Sequence, residues 1–164
     1  MLAERLQART PSARTIGTAQ LSGYKLHFSK LSIDGSGKCN ISSSEESGAI
    51  VHGVIFQLDG KELGKLDAAE GAPDHYCQQK LTVVNNGDAV DALVYIAISK
   101  KDGLKPYDWY KALVIAGALQ QGLPEEYIAR IFEVEAMTDS NPERKTRKVA
   151  ISALQLAGYS ELLP

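Results

Sequence analysis

Apolar and polar positions follow two periods along the chain. Up to about residue 98 the apolar runs are short and β-rich, and after Pro106 the spacing becomes helical. Ile16 to Leu21 and Tyr24 to Phe28 read as strands about a Ser22-Gly23 turn. Ser32 to Ser47 is rich in Ser and Gly and reads as a long loop. Gly48 to Leu58, with Ile50, Val51, Val54, Ile55 and Phe56, reads as a buried strand. Asn86-Gly87 then joins two β-rich runs, Leu81 to Val84 and Ala92 to Ile98, as a hairpin turn. Asp108 to Gln121 reads as a helix stopped by Gly122, and Pro124 to Glu135 as a second with Pro in its first turn. Asn141-Pro142 opens a third, running to about Ala157 with Gly158 as its stop. These elements make one α+β domain, a mixed, curled or barrel-like β-sheet flanked by helices, with no repeat and no dividing linker.

The segment from Asp59 to Gly71 has its own logic. Asp59 as N-cap and Glu62 three residues later form a capping box, and Leu58 with Leu63 a hydrophobic staple. Leu63 and Leu66 supply an apolar edge, and Gly71 is the stop. Glu70 therefore falls in the last turn, where the helix carbonyls disfavour a negative charge by about 0.3–1 kcal/mol at an exposed site. Asp67, one turn earlier on the same face, adds repulsion. Both effects weaken the charged form, which suits a group that takes up and returns a proton. From these residues alone, a solvated carboxylate at a helix end is the favoured reading.

Composition narrows the function classes. The chain has 164 residues, 44% hydrophobic and 23% charged, with a net charge of -2. That balance argues against nucleic acid as a partner, because phosphate binding needs a basic face. No run approaches the ~20 apolar residues of a membrane span, and the N-terminus lacks the apolar core of a secretory signal. Cys39 and Cys77 are far apart without metal-ligand spacing and read as reduced thiols, Cys77 as a small buried hydrophobe. The expected compartment is thus the cytoplasm.

Other features read as structural. Gly35 to Lys38 lacks the full phosphate-loop spacing and the Ser or Thr after Lys, since Cys39 follows. His27 and His52 read as strand residues rather than ligands, and His75 lies near Glu70 in sequence. Arg144, Lys145, Arg147 and Lys148 read as a solvated helix face. Trp109 and Tyr127 read as core or pocket-rim aromatics.

Several blocks, in order, resemble the gamma-glutamylcyclotransferase family (AIG2-like fold). They are Gly23 to Phe28, Asp34 to Ile41, Val51 to Leu58, Leu66 to Gly71 with Tyr76, Trp109 to Ala118, and Gly122 to Tyr127. The resemblance implies that Glu70 is the catalytic acid/base and Tyr110 the tyrosine near the bound substrate. It implies a gamma-glutamyl compound whose own α-amine attacks its γ-carbonyl, yielding 5-oxoproline and a free amine or amino acid. Because the substrate supplies the nucleophile, no cofactor or metal is expected. A homologue of the same fold that only binds a small molecule or a protein is the alternative. The identity of the leaving group stays open.

The chain departs from the family at its start. Family members open with a strand and a Tyr-Gly-Ser-Asn loop whose backbone binds substrate. Here Met1 and Leu2 match only the tail of that loop, and they are the substrate-binding residues the resemblance leaves. A coding start placed at an internal Met and a naturally shortened homologue are the two explanations, and the clean register after Met1 favours the first. As given, the chain is expected to lack oxyanion donors and to have weak activity. It would also expose a sheet edge through which a homodimer could form.

Overall fold

The computed structural model describes residues 2–163, so Met1 lies outside the described residues. A short helix α1 (Ala3–Gln7) leads into strand β1 (Arg14–Ser22), and β2 (Tyr24–Leu31) and β3 (Gly37–Ser43) follow. Next come β4 (Ile50–Gln57), a 3-10 turn (Gly60–Glu62), α2 (Leu63–Glu70), and the β5 (Tyr76–Asn85) and β6 (Asp88–Ala97) hairpin. Three helices close the chain: α3 (Asp108–Gln120), α4 (Glu125–Glu133) and α5 (Lys145–Leu156). The α+β, single-domain reading holds.

Four strands form one antiparallel sheet in the order β4-β1-β5-β6, and β2 with β3 form a second. The sheets do not close into a barrel. They are tied where the Ala97 N–H donates to the buried Asn40 Oδ1 at 2.8 Å. β1 meets β5 in register only at Gln20 and Val84, and a bulge between Thr15 and Gly17 turns Ile16 outward.

Strand β3 corrects the expected loop at Ser32 to Ser47. Its buried residues, Gly37 and Asn40, are not apolar, so a hydrophobic pattern misses it. Gly37 is required there, because a β-carbon would lie 2.3 Å from the Phe28 carbonyl oxygen. The third helix starts at Lys145 rather than at Asn141, since Asn141 takes the Glu143 N–H on its own side chain in a turn. Asp59 does cap the 3-10 turn through the Lys61 N–H at 2.9 Å. Glu62, however, does not complete a capping box: it accepts from Ser12 N and Oγ at 3.0 and 2.6 Å and pairs with Lys65.

Helix α3 is the centre of the core. One stripe, Trp109, Ala112, Leu113 and Ala116, packs on Ala150, Ala153 and Leu154 of α5. The other, Ile115 and Ala118, packs on Ile128 and Ile131 of α4. This i, i+3, i+4 spacing presents two faces to two neighbours, which is why the helix is apolar nearly all round. No helix among the described residues is long and apolar enough to cross a membrane.

The basic cluster at the start of α5 is more than a solvated face. Arg144 Nε donates to Asp139 Oδ2 at 2.6 Å, and the Trp109 indole N–H donates to the same oxygen at 3.0 Å. These donors hold the Asp139 carboxyl down at about 2, and the Ser12 and Lys65 donors hold Glu62 down at about 2. An unfolded Asp or Glu titrates near 4. Each carboxylate therefore contributes stability that is complete above about pH 4 and lost as pH falls through about 2. Urea midpoints measured from pH 6 to pH 2 should fall steeply below pH 4, and Asp139→Asn should flatten that fall. An equally steep fall in the variant would remove Asp139 from this role.

Candidate functional site

Glu70 is placed by the way α2 ends. Gly71 adopts the left-handed conformation, φ 70° and ψ 37°, and its N–H turns back to the Ala68 carbonyl. That stop leaves the Glu70 side chain in the wall of a cavity of about 440 Å³, within the range of small-molecule sites. Arg9 Nη1 donates to Glu70 Oε1 at 2.9 Å, with the two side chains 29% and 20% exposed. Asp67, expected to repel Glu70, is engaged elsewhere. The Tyr95 hydroxyl donates to it at 2.5 Å, and Gln78 Nε2 donates to the same oxygen. The local repulsion read from the sequence is thus offset by a cation 61 residues away.

Tyr110 comes from the first turn of α3 and lines the same cavity. Its hydroxyl accepts from the Cys39 N–H at 3.1 Å, while the Tyr76 hydroxyl donates to the Cys39 carbonyl at 3.2 Å. Two tyrosines therefore grip the same residue of β3 from its two backbone ends. Burial pushes both Tyr110 and Tyr76 well above the usual phenol range, so both stay as O–H groups at neutral pH. Burial also pushes the Cys39 thiol up to about 11, which leaves it a poor nucleophile. Both cysteines are free thiols.

The rest of the wall divides by chemistry. Leu2, the N-cap of α1, is 1% exposed and reaches both the α3–α5 core and the cavity. Arg5, Arg9, Lys30 and Lys38 bring positive charge, whereas Glu70 is the only acid among the described lining residues. Lys38 is answered by Asp34 at 3.0 Å and lies 4.8 Å from the Tyr110 ring centre. This pairing fills the Gly35–Lys38 loop with its own charges. Leu26, Val114, Leu123 and Ile131 add apolar surface to the lining, where Tyr127 also meets His52 edge-on. His75 is exposed and is not in the wall.

The structure thus brings Glu70, Tyr110 and Leu2 to one cavity. Sequence reasoning missed Arg9, Lys38 and the placement of His52 there, because each depends on contacts between distant elements, whereas Tyr127 lies in the lining as the pocket-rim reading expects. A second chamber of about 710 Å³, lined mainly by the apolar inner face of the four-stranded sheet, shares Glu70, Tyr76 and Tyr110 with the first.

Comparisons with known proteins agree with this geometry. The model of the AIG2-like family matches residues 50–131, which include Glu70, Tyr76, Tyr110 and Tyr127. The chain is 30% identical over 144 residues to a gamma-glutamylcyclotransferase of Bos taurus, covering 82% of this chain and 74% of that protein. It is 25% identical to the gamma-glutamylcyclotransferase of Homo sapiens over the same shares. A solved structure of a gamma-glutamyl cyclotransferase superposes with a TM-score of 0.82 at 25% identity, covering 92% of each chain.

Proposed function

Since the chain belongs to the gamma-glutamylcyclotransferase family, we propose that it converts the gamma-glutamyl part of a gamma-glutamyl amino acid or amine into 5-oxoproline, releasing the amine. One observation carries the reading: the only carboxylate among the described lining residues is Glu70, and it is held by Arg9. A lone carboxylate suffices for this reaction, because the substrate's α-amine is the nucleophile. Glu70 accepts a proton from the α-ammonium, and the freed amine attacks the γ-carbon. A proton returns from Glu70 to the leaving nitrogen as the amide bond breaks. Arg9, donating to Oε1 at 2.9 Å, fixes the direction in which the carboxylate points.

Holding the substrate folded, with amine and carbonyl in contact, supplies much of the acceleration. The apolar part of the lining, Leu26, Val114, Leu123 and Ile131, suits that task by offering a shaped surface with no side-chain hydrogen bonds of its own. Tyr110 accepts from Cys39 and keeps its own proton, so it can donate to the oxygen that becomes negative in the tetrahedral intermediate. No residue of the chain needs to become covalently attached.

The test is release of 5-oxoproline and free amine in equal amounts from a panel of gamma-glutamyl amino acids and amines. Stoichiometric release supports the cyclotransferase reading. Binding of the panel without release by a folded protein would assign the chain to the binding-only alternative.

A further inference from the structure

Lys38 carries a charge that holding its loop in place does not require. Its Nζ lies 4.8 Å from the Tyr110 ring centre, 5.1 Å from that of Trp109 and 5.7 Å from that of Tyr107, all within cation–π range. The side chain is 16% exposed, and Nζ donates to Asp34 Oδ2 at 3.0 Å and to Ser36 Oγ. Burial works against that charge, and Asp34 favours it. The loop has other anchors. The Tyr107 hydroxyl donates to the Asp34 carbonyl at 3.2 Å, and the Gly37 N–H to the Lys105 carbonyl at 2.8 Å. Three rings would pack as well on an apolar side chain, without the desolvation cost of an ammonium. The charge therefore points to a role beyond packing.

Resting on the cyclotransferase reading, we infer that Lys38 is a positioning residue that acts through Tyr110: its ammonium, held over the ring, makes the Tyr110 hydroxyl a stronger donor to the oxyanion. As the oxyanion draws the Tyr110 proton toward itself, negative charge grows on the phenol oxygen and spreads into the ring. A fixed cation beside the ring stabilises that change more than it stabilises the resting phenol. Cys39, the next residue of β3, gives its N–H to the same hydroxyl at 3.1 Å. Consecutive residues of one strand thus set both the direction and the acidity of one phenol. Burial, the Cys39 thiol and Tyr76 all oppose charge on Tyr110. Arg5 faces Tyr110 as a second cation, and Arg5 and Lys30 are the cations that face Lys38. Lys38 offsets part of what burial takes from the donor strength of Tyr110.

Lys38→Gln keeps donors for Asp34 and Ser36 and removes the charge. It should lower kcat on gamma-glutamylalanine by about tenfold with KM nearly unchanged, the scale of one desolvated cation–π contact. Lys38→Arg should recover most of that loss. In a Tyr110→Phe background, which has no phenol to tune, Lys38→Gln should leave kcat within about twofold of its parent. Equal losses in the two backgrounds overturn the inference, because Lys38 would then act without Tyr110. An unchanged kcat in folded Lys38→Gln overturns it as well. If Lys38→Gln does not fold, Lys38→Met combined with Asp34→Asn, which leaves no lone charge in the loop, carries the same comparison.

A titration without turnover separates this inference from the reaction itself. Trifluorotyrosine incorporated at position 110 ionises well below ordinary tyrosine, so fluorine NMR follows that phenol alone. It should ionise about one pH unit lower beside Lys38 than in the Lys38→Gln variant, the same tenfold effect read as acidity. An equal ionisation pH overturns the inference even if wild-type protein releases 5-oxoproline. The expected difference sustains the hold of Lys38 on Tyr110 even if no gamma-glutamyl compound is turned over, a result that would sink the cyclotransferase reading alone.

Discussion

Glu70→Gln is expected to lower kcat by ~10²–10⁴-fold, the usual contribution of a positioned acid/base, while the fold survives. The amide is close to the carboxylate in shape, and its oxygen can still accept from Arg9 at the observed 2.9 Å. What it cannot do is take the α-ammonium proton and give one back. Because Arg9 and Glu70 are both partly exposed, losing the charge of their pair should cost at most about 1 kcal/mol of stability. The change should therefore appear in kcat with little movement in the melting temperature. A kcat within threefold of wild type would exclude Glu70 as the acid/base. A large loss of melting temperature would show that the Arg9 pair is a structural clasp instead.

Trp109→Ala should destabilise the fold by about 3–5 kcal/mol, a large share of the ~5–15 kcal/mol that holds a domain of this kind together. Trp109 is 1% exposed and is among the largest side chains fully buried. Its ring stacks on Tyr107 with centres 5.8 Å apart and meets Tyr110 edge-on at 6.1 Å. Removing it opens a void among rigid aromatics that cannot close over it, and it deprives Asp139 of its indole donor. Trp109→Phe keeps most of the apolar volume and loses the donor, so its cost should be clearly smaller. Urea unfolding of the three proteins decides the matter. A cost below about 1 kcal/mol for the Ala variant would mean that α3 and α5 do not depend on this ring. Since Tyr110 leans on Trp109, surviving Ala variant should also bind substrate more weakly.

How much of this was legible in the sequence depended on the range of the contacts involved. The β5–β6 hairpin could be read from Asn86-Gly87, where Asn86 has φ 52° and Gly87 φ 92°, because a tight turn is encoded by its own residues. The end of α2 at Gly71 was legible for the same reason. Strand β3 was not, since Asn40 is buried only by virtue of the Ala97 N–H it receives from β6. In the site, Glu70 and Tyr110 were singled out by family resemblance, and the physics of a helix end left Glu70 ambiguous. The partnership of Arg9 with Glu70 could not be read from local pattern, and neither could the packing of Leu6 of α1 with Leu66 of α2. Both follow from α1 folding against α2 and the α3 end of the core, which no short-range spacing records.

The bend between α2 and β5 has a consequence for altering this protein. Glu70 ends the helix and Tyr76 begins the strand, so two walls of the cavity are joined by five residues. A β-carbon at Gly71 would lie 2.7 Å from the His75 ring, which leaves that bend little slack. One codon added or removed between Glu70 and Tyr76 would shift one wall against the other. The tip of the β5–β6 hairpin, where Asn86 and Gly87 are exposed and line neither chamber, has no such obligation. An epitope or a fluorophore attachment point belongs at that tip, whereas the 70–76 bend should be inherited whole in any chimera built on this scaffold.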